Sequence, residues 1–394
     1  MDADVIVIGA GPGGSTAAAL LARSGWDVLL VDRAVFPRPK TCGDALSPRA
    51  VAMLRRLGCE EAADGAFRIH SGRMIAPGGA TLDVPFAEVF PDLPSYGLVL
   101  PRVQFDDLLL RHAIQKGARF RQGAPVGDVV MDLGRVAAIK VPGDGGNAEL
   151  TARLVIVATG ASLSLLKRLG VLRRMPPVMR AARAYYRNIA PDGRLEFAFP
   201  KGLLPGYAWA FPVTATKANI GVALAPGTPG SATAALRRLE QRGDLPWLQQ
   251  ARRIGTIQGY PIRTDFPSHR VHGANWMVIG EAAGLVNPIT GEGIDLAMES
   301  AALAAEMADA ALREGEVSFA SLKRYDRELR QRYAGYFRGA RLLQRIILRP
   351  LLVNRMIVQA RHHRDLAGVI ATVSLGVASP ALFATPKVWW RILR

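Results

Sequence analysis

At 394 residues and 42.4 kDa, with 49% hydrophobic residues and a mean hydropathy of +0.14, the chain is too long for a single small module and leans towards contact with an apolar or lipid ligand. Its 50 Lys+Arg against 33 Asp+Glu, a net charge of +17, suit anionic substrates, membrane or nucleic acid, but the arginines crowd the last quarter without the aromatic interleaving of a single-strand binder. Two cysteines, Cys42 and Cys59, exclude a disulfide framework and a Cys-rich metal site, so no metal is expected and a reducing cytoplasm fits.

In chain order, Val5 to Ile8 is an apolar β-branched run, expected to be a strand and not a signal peptide because Met-Asp-Ala-Asp supplies no basic segment before it. Gly9, Gly11 and Gly14 follow at G-x-G-x-x-G spacing, then an Ala/Leu-rich helix to about Ser24, the apolar run Val28 to Val31, and Asp32. Gly9 permits a tight turn, Gly11 lets backbone amides approach a pyrophosphate, and Gly14 lets the helix pack closely with its positive end towards the phosphates. Asp32 stands where an acceptor for ribose hydroxyls is expected. Strand, glycines, helix, strand and acid in that order predict a dinucleotide site.

The Pro-rich segment after Asp32 predicts an ordered loop lining a ligand site, with Arg33 against an adenine and Arg38 and Lys40 reaching phosphates. Cys42-Gly43 suits close approach to a flat ring, although a small buried thiol with no further role satisfies the same pattern. Ser47 to Leu57 predicts a capped helix, Phe67 to Val99 an inserted strand region, and Arg102, a further cofactor candidate, the start of a helix running to Gly117. Ala118 to Val141 predicts a small β-meander, and Leu154 to Ala158 a buried strand whose end, Thr159-Gly160, can meet the same cofactor.

From Met179 to Ala225 the hydrophobic period is two, and Tyr207, Trp209 and Phe211 share one face of a strand. That face is either a sheet core or the wall of an apolar cavity. Ser231 to Ala251 predicts a helical insert. Trp276 to Ile279 predicts a strand ending at Gly280-Glu281, and a Gly/Pro loop then opens a helix at about Gly293, whose first amides can receive anionic atoms. From Tyr325 to Arg364 arginines alternate with Leu, Ile and Val. Leu366 to Pro386 carries no charge, but its Gly, Ser and Pro residues make it a poor membrane span; the ending Lys387-Val-Trp-Trp-Arg suits a membrane interface.

The glycine motif, Asp32, Ala158-Thr159-Gly160, and Gly280-Glu281-Ala282-Ala283-Gly284 with Pro288 and Gly291-Glu292-Gly293 resemble the FAD-binding set of the class A flavoproteins, which have the p-hydroxybenzoate-hydroxylase-like fold. Within that group, Pro37-Arg38-x-Lys40-x-Cys42-Gly43 and Pro205-Gly-Tyr207-x-Trp209-x-Phe211-Pro212 look like the geranylgeranyl reductase branch. The resemblance spans about residues 4 to 300. It implies an α/β (α+β) fold with a Rossmann-like FAD-binding domain (1–66, 100–178 and 270–320). An inserted antiparallel β-sheet substrate domain (67–99 and 179–269) completes it, and the tail's own residues predict a basic, helical, membrane-associating C-terminal region (321–394).

It also implies non-covalent FAD held by Gly9, Gly11, Gly13, Gly14, Asp32, Arg33, Lys40, Cys42, Gly43, Arg102, Thr159, Gly160, Gly280, Glu281, Pro288, Gly291, Gly293 and Ile294. The implied activity is hydride delivery to an isoprenoid double bond, with Cys42, Tyr207 and Trp209 as catalytic candidates. The reductant is NAD(P)H or ferredoxin, and the implied partners are an isoprenoid or lipid substrate, an electron-donor protein and the cytoplasmic face of a membrane, with no nucleic acid. An FAD monooxygenase, hydroxylase or halogenase acting on an apolar or aromatic substrate is the alternative. The chain departs from the family pattern at Glu281 and Thr159, where aspartate is usual, and at Ala223, where a glycine is expected.

Overall fold

The computed structural model describes residues 1–143, 146–189 and 192–393. Four short, largely apolar strands and the edge strand Arg119–Arg121 form a parallel sheet in the order Trp276–Val278, Ala152–Val157, Ala3–Ile8, Val28–Val31, Arg119–Arg121. The near-continuous burial of the four apolar strands is what a sheet covered on both faces requires, and no alternation survives in Val5 to Ile8 or Val28 to Val31. Because the strands are parallel, the chain leaves them at Gly9, Asp32, Ala158 and Ile279 along one edge, the place where such sheets bind ligands. The helices Pro12–Arg23 and Ile294–Arg313 start at that edge.

A second sheet has seven strands in the order Arg252–Arg263, Val178–Arg187, Lys217–Leu224, Gly206–Thr214, Leu195–Ala198, Ser71–Ile75, Thr81–Pro85. Its pairs are antiparallel except Leu195–Ala198 with Ser71–Ile75, which run parallel. One face packs under the helix Ala232–Arg242, capped by Ser231 and ended by left-handed Gly243. The other face carries Tyr207, Trp209 and Phe211 and belongs to an apolar cluster with Leu343, Ile347, Val353, Met356 and Ile370 from the C-terminal helices.

Two expectations are corrected here. Ala118 to Val141 is not a self-contained meander: Arg119–Arg121 joins the parallel sheet, and the antiparallel trio is Asp128–Asp132, Arg135–Gly143 and Gly146–Leu150. The glycines mark the breaks correctly, but three-residue Arg119–Arg121 shows too little alternation to declare its partner. The region from Phe67 to Val99 is divided as well, since Phe67–Ile69 and Gly97–Val99 pair with Ala45–Leu46 in a small sheet of their own.

The C-terminal segment folds as Phe319–Ile347, Pro350–Ala360, Arg364–Ser374 and Pro386–Leu393. Ser318 caps the first of these helices through a reciprocal bond with Ser321. Among the described residues no helix is long and apolar enough to cross a membrane.

Candidate active site

A cavity of about 930 Å³ lies between the edge of the parallel sheet, the aromatic face of the large sheet and the C-terminal helices. At the sheet edge Gly9 has φ +105°, and a Cβ there would stand 2.5 Å from the Ala158 carbonyl oxygen. A Cβ on Gly14 would stand 1.7 Å from the Gly9 oxygen, so that glycine is demanded by helix packing and does not line the cavity. Gly11 differs from both. Its Cβ would meet only Arg38 Nη2, at 3.9 Å, and the bare backbone opens on the cavity. Gly13 lets the helix Ile294–Arg313 come close, a Cβ there standing 3.1 Å from the Ala297 oxygen. Both helices begin at this edge, so the positive ends of their dipoles lie beside the cavity.

Asp32 is nearly buried and already fixes the turn, accepting from Ala10 N at 2.7 Å through Oδ2 and from Ala34 N at 2.8 Å through Oδ1. Arg33, Lys40, Cys42, Gly43, Thr159, Gly160, Gly280, Glu281, Gly291, Gly293 and Ile294 all border the same cavity. Lys40 Nζ sits 3.1 Å from the centre of the Tyr260 ring and faces Glu281; burial draws its pKa down to about 8 while the Glu281 charge opposes the fall. Burial likewise raises the Glu281 carboxyl, against Lys40 and a 3.3 Å bond accepted from Arg263 N. Arg102 is buried, forms two bonds of 2.6 and 2.8 Å with Asp106, and reaches the Cys42 thiol.

Of the expected set, Gly14 and Pro288 do not line the cavity. Pro288 is buried away from it, and its carbonyl accepts from Gln344 Nε2 at 2.7 Å, tying the 287–293 loop to the helix Phe319–Ile347. Asn287 Nδ2 adds a bond to the Ser374 carbonyl, and Arg49 Nη1 donates to that of Leu375 at 3.0 Å. A proline in a Gly-rich loop near phosphate-binding amides gives no hint of a long-range anchor for the tail.

The Tyr207/Trp209/Phe211 face is cavity wall. Trp209 lies flat over Gly221, where a Cβ would stand 2.2 Å from Cζ2, and stacks with Phe211 at 6.0 Å between centroids. The Cys42-Gly43 loop lies directly on this strand, since a Cβ on Gly43 would stand 2.9 Å from Phe211 Cε2. A buried polar group holds it there. Asn219 accepts from Trp209 Nε1 at 3.1 Å and donates to the Cys42 carbonyl and to Asp44 Oδ2, both at 2.8 Å. Tyr185 also donates to Asp44 Oδ2, at 2.6 Å. Burial pushes the Asp44 carboxyl up against these donors, and the residue has φ +67°. Sequence reasoning missed Asp44 and Asn219; the one legible signal was a polar Asn inside the otherwise apolar strand Lys217–Leu224.

The sequence model of the FAD binding domain family matches residues 2–188. The chain is 38% identical to the menaquinone reductase of Mycolicibacterium smegmatis over 361 residues, 88% of this chain and 85% of that one. It is 31% identical to digeranylgeranylglycerophospholipid reductase 1 of Methanopyrus kandleri over 355 residues, 86% of this chain and 89% of that one. The chain belongs to the geranylgeranyl reductase family of FAD-dependent oxidoreductases. A crystal structure of a geranylgeranyl bacteriochlorophyll reductase-like protein from Thermoplasma acidophilum shares the fold, with a TM-score of 0.81, 22% identity and coverage of 94% of this chain and 96% of that one.

The residues at the sheet edge fit FAD. Gly11 leaves open the space a Cβ would fill, two helices begin at this edge, Asp32 fixes the turn beside them, and Lys40 brings a cation to the cavity wall.

Proposed function

We propose that this reductase saturates isoprenoid double bonds on a lipid or quinone, within a substrate unit formed by 67–99 and 179–269 and closed by the C-terminal helices. The observation that carries the reading is the continuity of the cavity: the glycine cradle opens directly into a chamber walled by Tyr207, Trp209, Phe197, Ile262, Val353 and Met356. Relatives named as reductases of digeranylgeranylglycerophospholipid and of menaquinone act on molecules with the same kind of long apolar chain, which supports it.

Bound and reduced, FAD supplies the hydride. The protein holds an isolated, poorly electrophilic alkene in place and keeps water from it, a task suited to aromatic and aliphatic walls. Gly11, Gly160 and Gly293 seat the cofactor, and Asn219 with Asp44 keeps Cys42-Gly43 on the aromatic strand, where Cys42, Tyr207 and Trp209 border the reacting space. The basic tail fits attachment to the cytoplasmic face of an anionic membrane: Leu342, Ile346, Leu351 and Trp390 are 60, 39, 83 and 52% exposed, with Arg345, Arg349 and Lys387 exposed among them.

The deciding experiment is anaerobic. The dithionite-reduced holoenzyme is mixed with vesicles of a digeranylgeranyl glycerophospholipid, or with menaquinone, and flavin absorbance and product mass are followed. Reoxidation with a gain of one pair of hydrogens per double bond is expected. Flavin that stays reduced until air enters, followed by oxygen incorporation, would replace this reading with a monooxygenase.

A further inference from the structure

Saturating an alkene takes a proton as well as a hydride, and among the carboxyls that line the cavity Glu292 has two others behind it. Glu292 stands between Gly291 and Gly293 and borders the cavity beside the aromatic strand, where Tyr207 donates to the Thr290 carbonyl. The Ser47 hydroxyl lies beside the Glu292 carboxyl and favours the charged form. Behind it Asp295 is 1% exposed, and its Oδ1 meets no donor among the described residues. One turn further along the helix Ile294–Arg313 is Glu299, whose side chain is 22% exposed and which accepts from Tyr333. The spacing of four puts Asp295 and Glu299 on one face of the helix, and Glu292, in the loop just before it, is near enough for the Asp295 charge to act on it. Arg49 bridges the outer two, 3.5 Å from Asp295 Oδ2 and 2.6 Å from Glu299 Oε2.

We propose that Glu292 is the acid that protonates the alkene, and that Asp295 and Glu299 return its proton from solvent. The proposal rests on the alkene-reductase reading of the site. As hydride from the reduced cofactor adds to one alkene carbon, the π bond breaks and its electron pair takes the Glu292 proton at the other carbon. Two C–H bonds form, the alkene gains two electrons that the flavin loses, and the Glu292 carboxylate is reprotonated through Asp295 and Glu299 from water.

Electrostatics favour a proton held at the cavity. The groups facing Glu292 are Ser47 and Arg49 from the segment around the helix Pro48–Leu57, Asp295 and Glu299 from its own helix, Tyr207 from the aromatic strand, and Tyr336 from the helix Phe319–Ile347. Three carboxyls thus share the single charge of Arg49 within this group. Burial, then the Asp295 charge, pushes Glu292 up to about 8, with Ser47 and Arg49 opposing; burial raises Asp295 to about 6. An acid so poised is protonated and neutral at pH 7 and able to surrender its proton.

The test compares wild type, Glu292→Gln and Glu292→Asp holoenzymes, each checked for bound FAD, in anaerobic single turnovers with a geranylgeranyl lipid across pH 6–9. Glu292→Gln should keep FAD and slow flavin reoxidation by about 10²–10⁴-fold, with Glu292→Asp restoring part of the rate. The wild-type rate should fall as pH rises through about 8, and Glu292→Gln should lack that limb. Independently of turnover, infrared difference spectra should contain a protonated-carboxyl C=O stretch that disappears near pH 8 and is missing from Glu292→Gln. A Glu292→Gln rate within threefold of wild type, or a carboxyl band already lost near the ordinary 4.5, would overturn the proposal. Wild type that leaves the lipid unchanged would instead overturn the reductase reading on which it stands.

Discussion

Replacing Asn219 by leucine tests whether one buried amide holds the Cys42-Gly43-Asp44 loop on the large sheet. The side chain is fully buried and makes three bonds of 2.8, 2.8 and 3.1 Å, to the Cys42 carbonyl, Asp44 Oδ2 and Trp209 Nε1. Leucine fills nearly the same volume and makes none of them, so packing changes little and the polar loss stands alone. Two neutral bonds at about 1 kcal/mol each and one to a carboxyl group at about 1.5–3 kcal/mol put the loss at roughly 3.5–5 kcal/mol. The Cys42 carbonyl borders the cavity and regains water, which favours the lower end. Against a typical total of about 5–15 kcal/mol that is a large fraction. Urea unfolding followed by circular dichroism, with bound FAD measured on the same preparations, should give a clear fall in midpoint and weakened flavin retention. A loss under about 1 kcal/mol with wild-type flavin content would refute the reasoning, because it would mean that the loop is held by its apolar contacts with Phe211.

Gly11→Val should abolish FAD binding yet leave the apoprotein folded, since its Cβ meets no backbone, whereas Gly14→Ala drives a Cβ to 1.7 Å from the Gly9 oxygen and should lower the thermal midpoint itself; equal effects on both readouts would refute the distinction. Cys42→Ala should retain FAD, because its carbonyl and not its thiol meets Asn219, while changing alkene turnover; unchanged rates would reduce the thiol to a packing role. Stability should also depend on Glu292 in a definite direction. Its pKa is raised from 4.5 to about 8, so the folded chain holds a proton that the unfolded chain releases between those values, and this contribution is lost as pH rises through that window. The wild-type unfolding free energy minus that of Glu292→Gln should therefore fall between pH 5 and 8, a comparison that removes His269 and His272, whose burial-lowered values act in the opposite sense. A difference that rises with pH would refute the assignment.

What the sequence made legible was local. The glycine spacing, the β-branched runs and Asp32 declare a strand–turn–helix whose geometry is dictated over a few residues, and Ser47 and Gly58 mark both ends of one helix through cap conformations. What it hid depends on partners far along the chain. Nothing near Gly221 announces Trp209 lying on it, yet that ring is why a side chain is forbidden there. Asp44 reads as a loop residue until Tyr185 and Asn219 converge on it, and Pro288 reads as a loop former until Gln344 reaches its carbonyl. Arg119–Arg121 is too short for its alternation to name a partner sheet. The carboxyls at 292, 295 and 299 look like an ordinary charged helix start, because burial, which gives them their chemistry, has no local signature.

The C-terminal helices supply Ile347, Val353, Met356 and Ile370 to the cavity, while the Gly9-to-Gly14 turn lies at the other end of the chain, so the apolar chamber wall and the first glycine turn are encoded by segments that share no residues. This separation shapes how such a protein diversifies. After gene duplication, substitutions at Val353, Met356 or Ile370 alter which chains are admitted, and to what depth, while Gln344, which holds the 287–293 loop through the Pro288 carbonyl, stays fixed. Natural selection can then sample new cargoes on copies that still carry a working redox centre.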